Sequence, residues 1–468
     1  MTRLLQSTCL LLLGGSIAIA ASPVLLRVDT NTSKGIFKPL HGVNKGPLAS
    51  GGLIDLTAEH RTLGIPFTRL HDCHWPNPDV VDIHTIFPDP TADPLKESSY
   101  DFRLTDEYIS AVIQSGASIV FRLGESIEHT SIKRFVHPPQ DAQKWAEICA
   151  HIVRHYNQGW AGGHHYGIQY WEIWNEPDNR PAMWTGTDQQ FLQLYSVTAR
   201  LLKTRFPHLK IGGPGLGNSG SLNGNQLVPA PFMTLFLDFC ASEKLPLDFF
   251  SWHCYTDNSQ DFLHRAKAIR QALDSRGFTK TESHLNEWNY LPNNNWSGLM
   301  KNASAEQRER FYREMSGSKA ATFALATLTG LQDAPVDIAN FFHGELGGFG
   351  LFTEHGVRTP VFNAFFSFNR FLTETPDTID LSENADALFA LAGKSKDNQV
   401  LALLVGNNGT NALPVIVEGI PGSPQFSATA FWLSGTEQSL AGTKDRKHPW
   451  SFSIPAAQTA LIQFKRAQ

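Results

Sequence analysis

The sequence predicts an α/β fold, a (β/α)8 TIM barrel followed by a C-terminal β-sandwich. Three observations predict it. Between about Lys38 and Phe366, eight short apolar strands alternate with amphipathic helical stretches, the count a closed parallel barrel requires. Beyond about residue 369 the pattern changes to short β-rich runs separated by Gly, Asn and Pro turns, which reads as a sandwich. The length of 468 residues suits a barrel plus an accessory domain better than one small domain.

Taken in order, residues 1–20 read as a signal peptide. Arg3 supplies the positive end, Leu10 to Ile19 the apolar run, and Ala18-Ile19-Ala20 the small-residue cleavage pattern. The run is short for a membrane span, so the mature chain is expected to be secreted or periplasmic with no stable membrane insertion. Residues 21–36 contain Val24–Val28, a strand expected to join the sandwich. The barrel is expected over 37–368, with strands Pro39–Asn44, Phe67–Asp72, Ser118–Leu123, Tyr170–Asn175, Lys210–Pro214, Phe249–Cys254, His284–Trp288 and Asp337–Phe342. Helical stretches between them include Asp106–Gln114, Asp141–His155, Asp188–Thr204 and Ala305–Leu328, with Asp141 and Asp188 as first-turn acids or caps. The sandwich follows over 369–468, on Ala387–Leu391, Val400–Val405, Pro414–Glu418, Ala428–Leu433 and Thr459–Phe464. A doubly wound sheet would place a glycine-rich phosphate turn after the first strand, and His41 to Pro47 does not supply one.

Composition excludes some functions. The net charge is −5, with acids and bases mixed along the chain, so there is no basic face for nucleic acid. Outside the leader, Cys73, Cys149, Cys240 and Cys254 match no metal or redox spacing, and a chain this long does not need disulfides.

The chemistry lies where strands end, because the loops after them gather at one face of such a barrel. The fourth strand reads Tyr-Trp-Glu-Ile-Trp-Asn-Glu-Pro-Asp from Tyr170 to Asp178. Pro177 cannot donate to a ladder, so Asn175 and Glu176 fall at the rim. The seventh strand, His284 to Tyr290, delivers Glu287 to the same rim. Two carboxylates so placed suit glycosidic cleavage. One protonates the leaving oxygen and the other attacks the anomeric carbon, provided the two lie about 5–5.5 Å apart with no room for a water. The charge of Glu287 is expected to hold the proton on Glu176 until Glu287 is esterified.

These segments, Trp171 to Asp178 and Leu285 to Asn289, resemble glycoside hydrolase family 39, which contains β-xylosidases and α-L-iduronidases. Lys210 to Gly215 resembles the family's fifth-strand segment, and Ser251 to Tyr255 its sixth-strand end. The resemblance runs from roughly Phe37 to the C-terminus. It implies Glu176 as acid/base and Glu287 as nucleophile, Asn175 on the sugar 2-hydroxyl, His253 and Tyr255 lining the subsite, and Tyr255 orienting Glu287. It also implies exo action without metal or cofactor on an oligosaccharide or glycoside, a β-xyloside first, with β-glucoside, β-galactoside, arabinoside and uronide behind it.

Other rim residues are candidates for sugar binding. His71 and Asp72 end the second strand, and Arg122 ends the third, where the family pattern leads one to expect an acid. Arg69 and Glu172 point inward, as a buried ion pair or with Arg69 on Glu287. Lys45 and Arg122 together would read a uronic carboxylate, or are instead paired with Asp72 or Glu125. Trp75, Trp184, Trp288 and Trp296 lie in or beside loops, and Trp288 is taken as a substrate contact. His343 to Gly350 is expected to be the loop after the eighth strand. Two readings from other classes remain beside this one. A metal hydrolase would use His71, Cys73 and His74 or His164 and His165, which lack motif spacing. A silent carbohydrate-binding barrel would typically have lost one of the two glutamates.

Overall fold

The structure is a computed structural model describing residues 22–49, 53–75, 80–382, 388–443, 445 and 447–467. The expected leader at 1–20 lies outside the described residues. Eight strands close a parallel barrel: Gly42–Asn44, Phe67–Leu70, Ser118–Leu123, Tyr170–Ile173, Lys210–Leu216, Phe249–Thr256, Glu282–Tyr290 and Ile338–Phe341. Closure is made by Asn340 and Phe341 pairing with Gly42 and Val43.

The helices pack outside, and their ends follow local chemistry. Asp141 caps Ala142–Gln158 by accepting from the backbone N–H groups of Gln143 and Lys144. Thr187 and Gln190 form a reciprocal capping box at Asp188–Arg205. The expected continuous helix Ala305–Leu328 is instead two helices, Ala305–Met315 and Ser318–Gly330. The break falls at Ser316-Gly317, two residues that lower helix propensity together. The last barrel helix, Pro360–Glu374, runs on past residue 368, where the sequence placed the domain boundary.

Nine strands form the second unit, a mixed sheet. Val24–Ile36 lies within it, antiparallel to Asp377–Ser382 and parallel to Leu413–Glu418. Glu437–Leu440 and Trp450–Ile454 form its two edges; these two strands and Asp377–Ser382 escaped the sequence reading. The sheet folds over on itself, because the Trp450 ring, on one edge strand, lies 5.3 Å from that of Phe464, far along the sheet order. Between the layers sit Leu26, Leu403, Val405, Val415, Val417, Ala430 and Ile462, all buried. Among the described residues no helix is long and apolar enough to cross a membrane. Cys73, Cys149, Cys240 and Cys254 are buried free thiols.

Two irregularities decide which side chains face the barrel mouth. In the sixth and seventh strands, Trp252 pairs with Leu285 but His253 pairs with Glu287, leaving Asn286 as an extra residue. A bulge of this kind shifts the inward and outward alternation by one. Asn286 and Glu287 therefore both turn inward, and Trp288 turns out. In the fourth strand the shift comes from Trp174, in the left-handed region at φ 71°. Its indole points out, against Trp145 and Trp184, and Asn175 and Glu176 turn in.

Candidate active site

At the floor of the barrel mouth, Arg69 organises four elements. Its Nε donates to Glu172 Oε2 at 2.7 Å, Nη2 to Asn175 Oδ1 at 2.5 Å, and Nη1 to Asn44 Oδ1 at 3.0 Å and Glu287 Oε2 at 3.3 Å. Glu172 accepts further bonds from Ser251 and Asn286. Arg69 is thus both a member of a buried ion pair and a donor to Glu287, the two roles the sequence left open. A fully buried pair of this kind tolerates removal of neither partner, because the survivor would be an uncompensated charge.

The network is packed too tightly for side chains at some backbone positions. Gly215 has φ 62°, and a Cβ there would lie 3.1 Å from Arg69 Nη2 and from Asn175 Oδ1 and 3.2 Å from Glu172 Oε1. Its carbonyl accepts from the Glu176 N–H at 2.8 Å. Strain collects at the same rim: Lys45, Asp72 and Glu176 all have φ between 43° and 53°, each costing about 1–3 kcal/mol.

Glu176 and Glu287 face each other across His253. One carboxylate oxygen from each glutamate and one ring nitrogen of His253 all lie within 4.8 Å of one another. His253 Nδ1 is 2.8 Å from Glu176 Oε1 and 3.7 Å from Glu287 Oε2. Asn179 Nδ2 donates to Glu176 Oε2 at 2.8 Å, and the Tyr255 hydroxyl donates to Glu287 Oε1. The donor sets differ in charge. Glu287 receives a guanidinium and a phenol, whereas Glu176 receives an amide and faces an imidazole.

Burial sets the ionisation of this group. It raises the Glu287 carboxyl above its usual range, with the charge of Glu176 adding to the rise and His253, Arg69 and Tyr255 opposing it. Burial also raises Glu176, with Asp72 adding to it and Asn179 and Arg69 opposing. Desolvation is thus the leading cause at Glu176, and the charge that adds to it is that of Asp72 rather than the expected Glu287. Burial lowers His253 and keeps Tyr255 protonated far above the usual phenol range. His253 has a buried Nε2 with no protein partner.

The remaining candidates separate. His71 and Asp72 come together at the rim, His71 Nε2 3.2 Å from Asp72 Oδ1, and Asp72 accepts from the Ile127 N–H at 3.0 Å. Burial and the neighbouring cations hold His71 well below the usual imidazole range, hence neutral. Two residues expected to bind the sugar lie away from it. Trp288 is fully buried outside the barrel, against Phe262, Phe341 and Phe365, because the bulge at Asn286 reversed its side. Arg122 is also fully buried and ion-paired with Asp82, a partner that the long loop after the second strand folds over it. Trp184 is core as well.

The exposed aromatic at the rim is Trp296, whose ring lies 5.1 Å from Tyr255 and 6.3 Å, stacked, from Phe349. Lys45 sits 5.4 Å over the Phe342 ring. Glu345 is buried, its carboxyl is raised by desolvation against the pull of Lys45 and His74, and its Oε1 has no protein partner. The sequence reading missed Asn44, Asn179, Ser251, Asn286 and Glu345 as individuals. Ser251 carried a signal, since it shares a strand face with His253 and Tyr255 at period two.

The sequence matches the profile of glycosyl hydrolases family 39 over residues 63–392. It is 29% identical over 307 residues to a β-xylosidase of Geobacillus stearothermophilus, covering 59% of this chain and 56% of the relative. It is 21% identical over 343 residues to a β-xylosidase of Caldicellulosiruptor saccharolyticus, covering 67% and 61%. The chain thus spans a little over half the length of these curated relatives. Its fold matches the crystal structure of a glucosidase from Croceicoccus marinus with a TM-score of 0.75 at 23% identity, over 95% of this chain and 99% of that one.

Proposed function

The chain belongs to glycosyl hydrolase family 39, and from that premise we propose that it hydrolyses terminal glycosides with retention of configuration. The observation that carries the reading is the pair of facing carboxylates, with an oxygen of Glu176 and one of Glu287 within 4.8 Å. Oxygens this close fit the short carboxyl separation of retaining pairs, about 5–5.5 Å, better than the ~6.5–9.5 Å of inverting ones.

In this reading Glu287 is the nucleophile. The Arg69 guanidinium and the Tyr255 hydroxyl favour its ionised form and aim its oxygens. Glu176 is the acid: burial raises its carboxyl, and its hydrogen-bonding neighbours are the Asn179 amide and the His253 ring rather than a guanidinium and a phenol. Attack by Glu287 on the anomeric carbon forms a glycosyl ester while Glu176 gives its proton to the departing oxygen. Glu176, now a carboxylate, then takes a proton from water as the water attacks the same carbon. The ester breaks, Glu287 leaves as carboxylate, and Glu176 is reprotonated. Asn175 has its oxygen committed to Arg69, so its amide N–H groups are the ones offered to the sugar 2-hydroxyl. His253 Nε2, His71, Asp72 and Glu345 supply further polar contacts to the glycone, and Trp296 offers an aromatic face.

The preferred substrate is a β-xyloside, supported by the names of the curated relatives. A uronide has less support: Arg122 is sealed against Asp82, and Lys45 stands beside Glu345. Export rests on the leader-like residues 1–20 alone. The test is release of nitrophenol from β-xyloside, β-glucoside, β-galactoside, α-arabinoside and uronide substrates, with the anomer formed first followed by NMR. Turnover of one of them with the retained anomer supports the reading. An inverted first product, or a folded protein silent on all of them and on oligosaccharides, overturns it.

A further inference from the structure

We propose a second site, for a single zinc-class divalent cation, formed by Asp106, His155 and His164. Asp106 lies in the first turn of the helix Arg103–Ser115 and His155 in the last turn of Ala142–Gln158; His164 lies in the loop before the fourth barrel strand. None of these belongs to the barrel mouth. Asp106 Oδ1 is 3.0 Å from His155 Nε2 and 3.6 Å from His164 Nε2. Zinc bound at about 2.0–2.1 Å by a tetrahedral set has ligand atoms about 3.3–3.4 Å apart; the two distances from Asp106 bracket that spacing, and the three ligand atoms all lie within 4.8 Å of one another.

The site is built rather than incidental. His155 is buried, its ring stacks on Phe102 at 3.5 Å, and its Nδ1 donates to the Trp160 carbonyl at 2.8 Å. A ring nitrogen fixed on a backbone carbonyl is the usual way a ligating imidazole is held with its other nitrogen free for metal. His164 stacks on Tyr166 at 4.5 Å, and its backbone N–H donates to the His155 carbonyl at 2.6 Å. That close approach requires Gly163, where a Cβ would fall 2.2 Å from the His155 carbonyl oxygen. The loop is therefore pinned so that both imidazoles meet one carboxylate. A cavity of about 570 Å³ opens at Asp106 and His155, and Glu97 and Asp101 line it. Arg103, also on its wall, is already paired with Asp101 at 2.6 Å. The opening thus favours a cation and leaves room for water as a fourth ligand. The ion would tie the Arg103–Ser115 helix to the helix and loop that carry the two imidazoles; it has no part in the glycosidase reaction.

The test is zinc titration of the chelator-treated full-length chain by calorimetry, with thermal melting and glycosidase assay alongside. The wild type is expected to bind one equivalent, melt higher with zinc by mass action, and keep its activity. His164→Ala, at a half-exposed position, and the isosteric Asp106→Asn should each weaken binding by more than the ~10–100-fold typical of losing an outer partner. Both should melt as the metal-free wild type does when zinc is withheld. Three results would overturn the proposal: no stoichiometric binding by the wild type, undiminished binding by both variants, or binding that inhibits turnover and is lost on Glu176→Gln. The last would assign the ion to Glu176, His253 and Glu287 instead.

Discussion

Arg69 Nη1 stands 3.3 Å from Glu287 Oε2, while the same guanidinium holds Glu172 at 2.7 Å. A cation fixed by one buried carboxylate is presented to another at the barrel mouth. Together with the Tyr255 hydroxyl on the second oxygen, it distinguishes two glutamates that burial alone would treat alike. Roles, rate and pH dependence follow from that asymmetry.

Replacing Glu287 with glycine removes the attacking oxygen. Turnover should fall on the order of 10⁴–10⁶-fold, as when the nucleophile of a covalent mechanism is lost, with circular dichroism unchanged. Added azide should restore release of an activated aryl group and give a glycosyl azide of inverted configuration. An azide product of retained configuration would place the nucleophile elsewhere.

Glu176→Ala should depend on the leaving group. A poor aglycone needs the proton and should lose ~10²–10⁴-fold. A dinitrophenyl glycoside needs little help and should lose far less in its first step. Wild-type kcat/KM against pH should be bell-shaped, falling in acid as Glu287 is protonated and in base as Glu176 loses its proton. The variant should lose the basic limb and keep the acidic one. Equal losses on both kinds of substrate would remove Glu176 from the acid role.

Tyr255→Phe takes a hydrogen bond from the Glu287 carboxylate. A bond to a charged group is worth about 1.5–3 kcal/mol, so kcat/KM should drop roughly 10–150-fold. The sign of the pH effect is fixed: without the donor the anion is less favoured, the Glu287 pKa rises, and the acidic limb moves to higher pH. A limb that stays in place or moves lower would contradict the role given to Tyr255.

Gly215→Ala tests how closely the network is packed. The added methyl meets Arg69 and Asn175 at 3.1 Å in a left-handed backbone. The cost should be about 1–3 kcal/mol, read as a lower urea midpoint at unchanged m-value. Activity should fall too, since Arg69 must shift away from Glu287.

Much of this was legible in the chain. The eight strands follow from the alternation of strands with helices, the inward Arg69 and Glu172 from strand periodicity, and the rim position of the two glutamates from strand ends, with Pro177 closing the fourth strand. What failed did so at departures from alternation. Trp288 reads as a sugar contact because it ends the seventh strand beside a loop, and the bulge at Asn286 that turns it outward depends on the register with the sixth strand. Arg122 misled because its partner, Asp82, comes from a loop 40 residues away. Asp106 and His155 meet from 49 residues apart, so no local spacing joins them. The hairpin of Gly220–Asn223 and Gln226–Pro229 turns at Gly224-Asn225, a two-residue Gly-Asn loop that is legible in the sequence.

The most direct measurement is to trap the covalent intermediate. A 2-deoxy-2-fluoro glycoside with a good leaving group, of whichever glycone the enzyme accepts, slows ester hydrolysis more than ester formation. Peptide mass spectrometry of the inactivated protein should then find one fluoroglycosyl unit on Glu287. An adduct on Glu176 or another side chain, or time-dependent turnover with no adduct at all, would contradict the account.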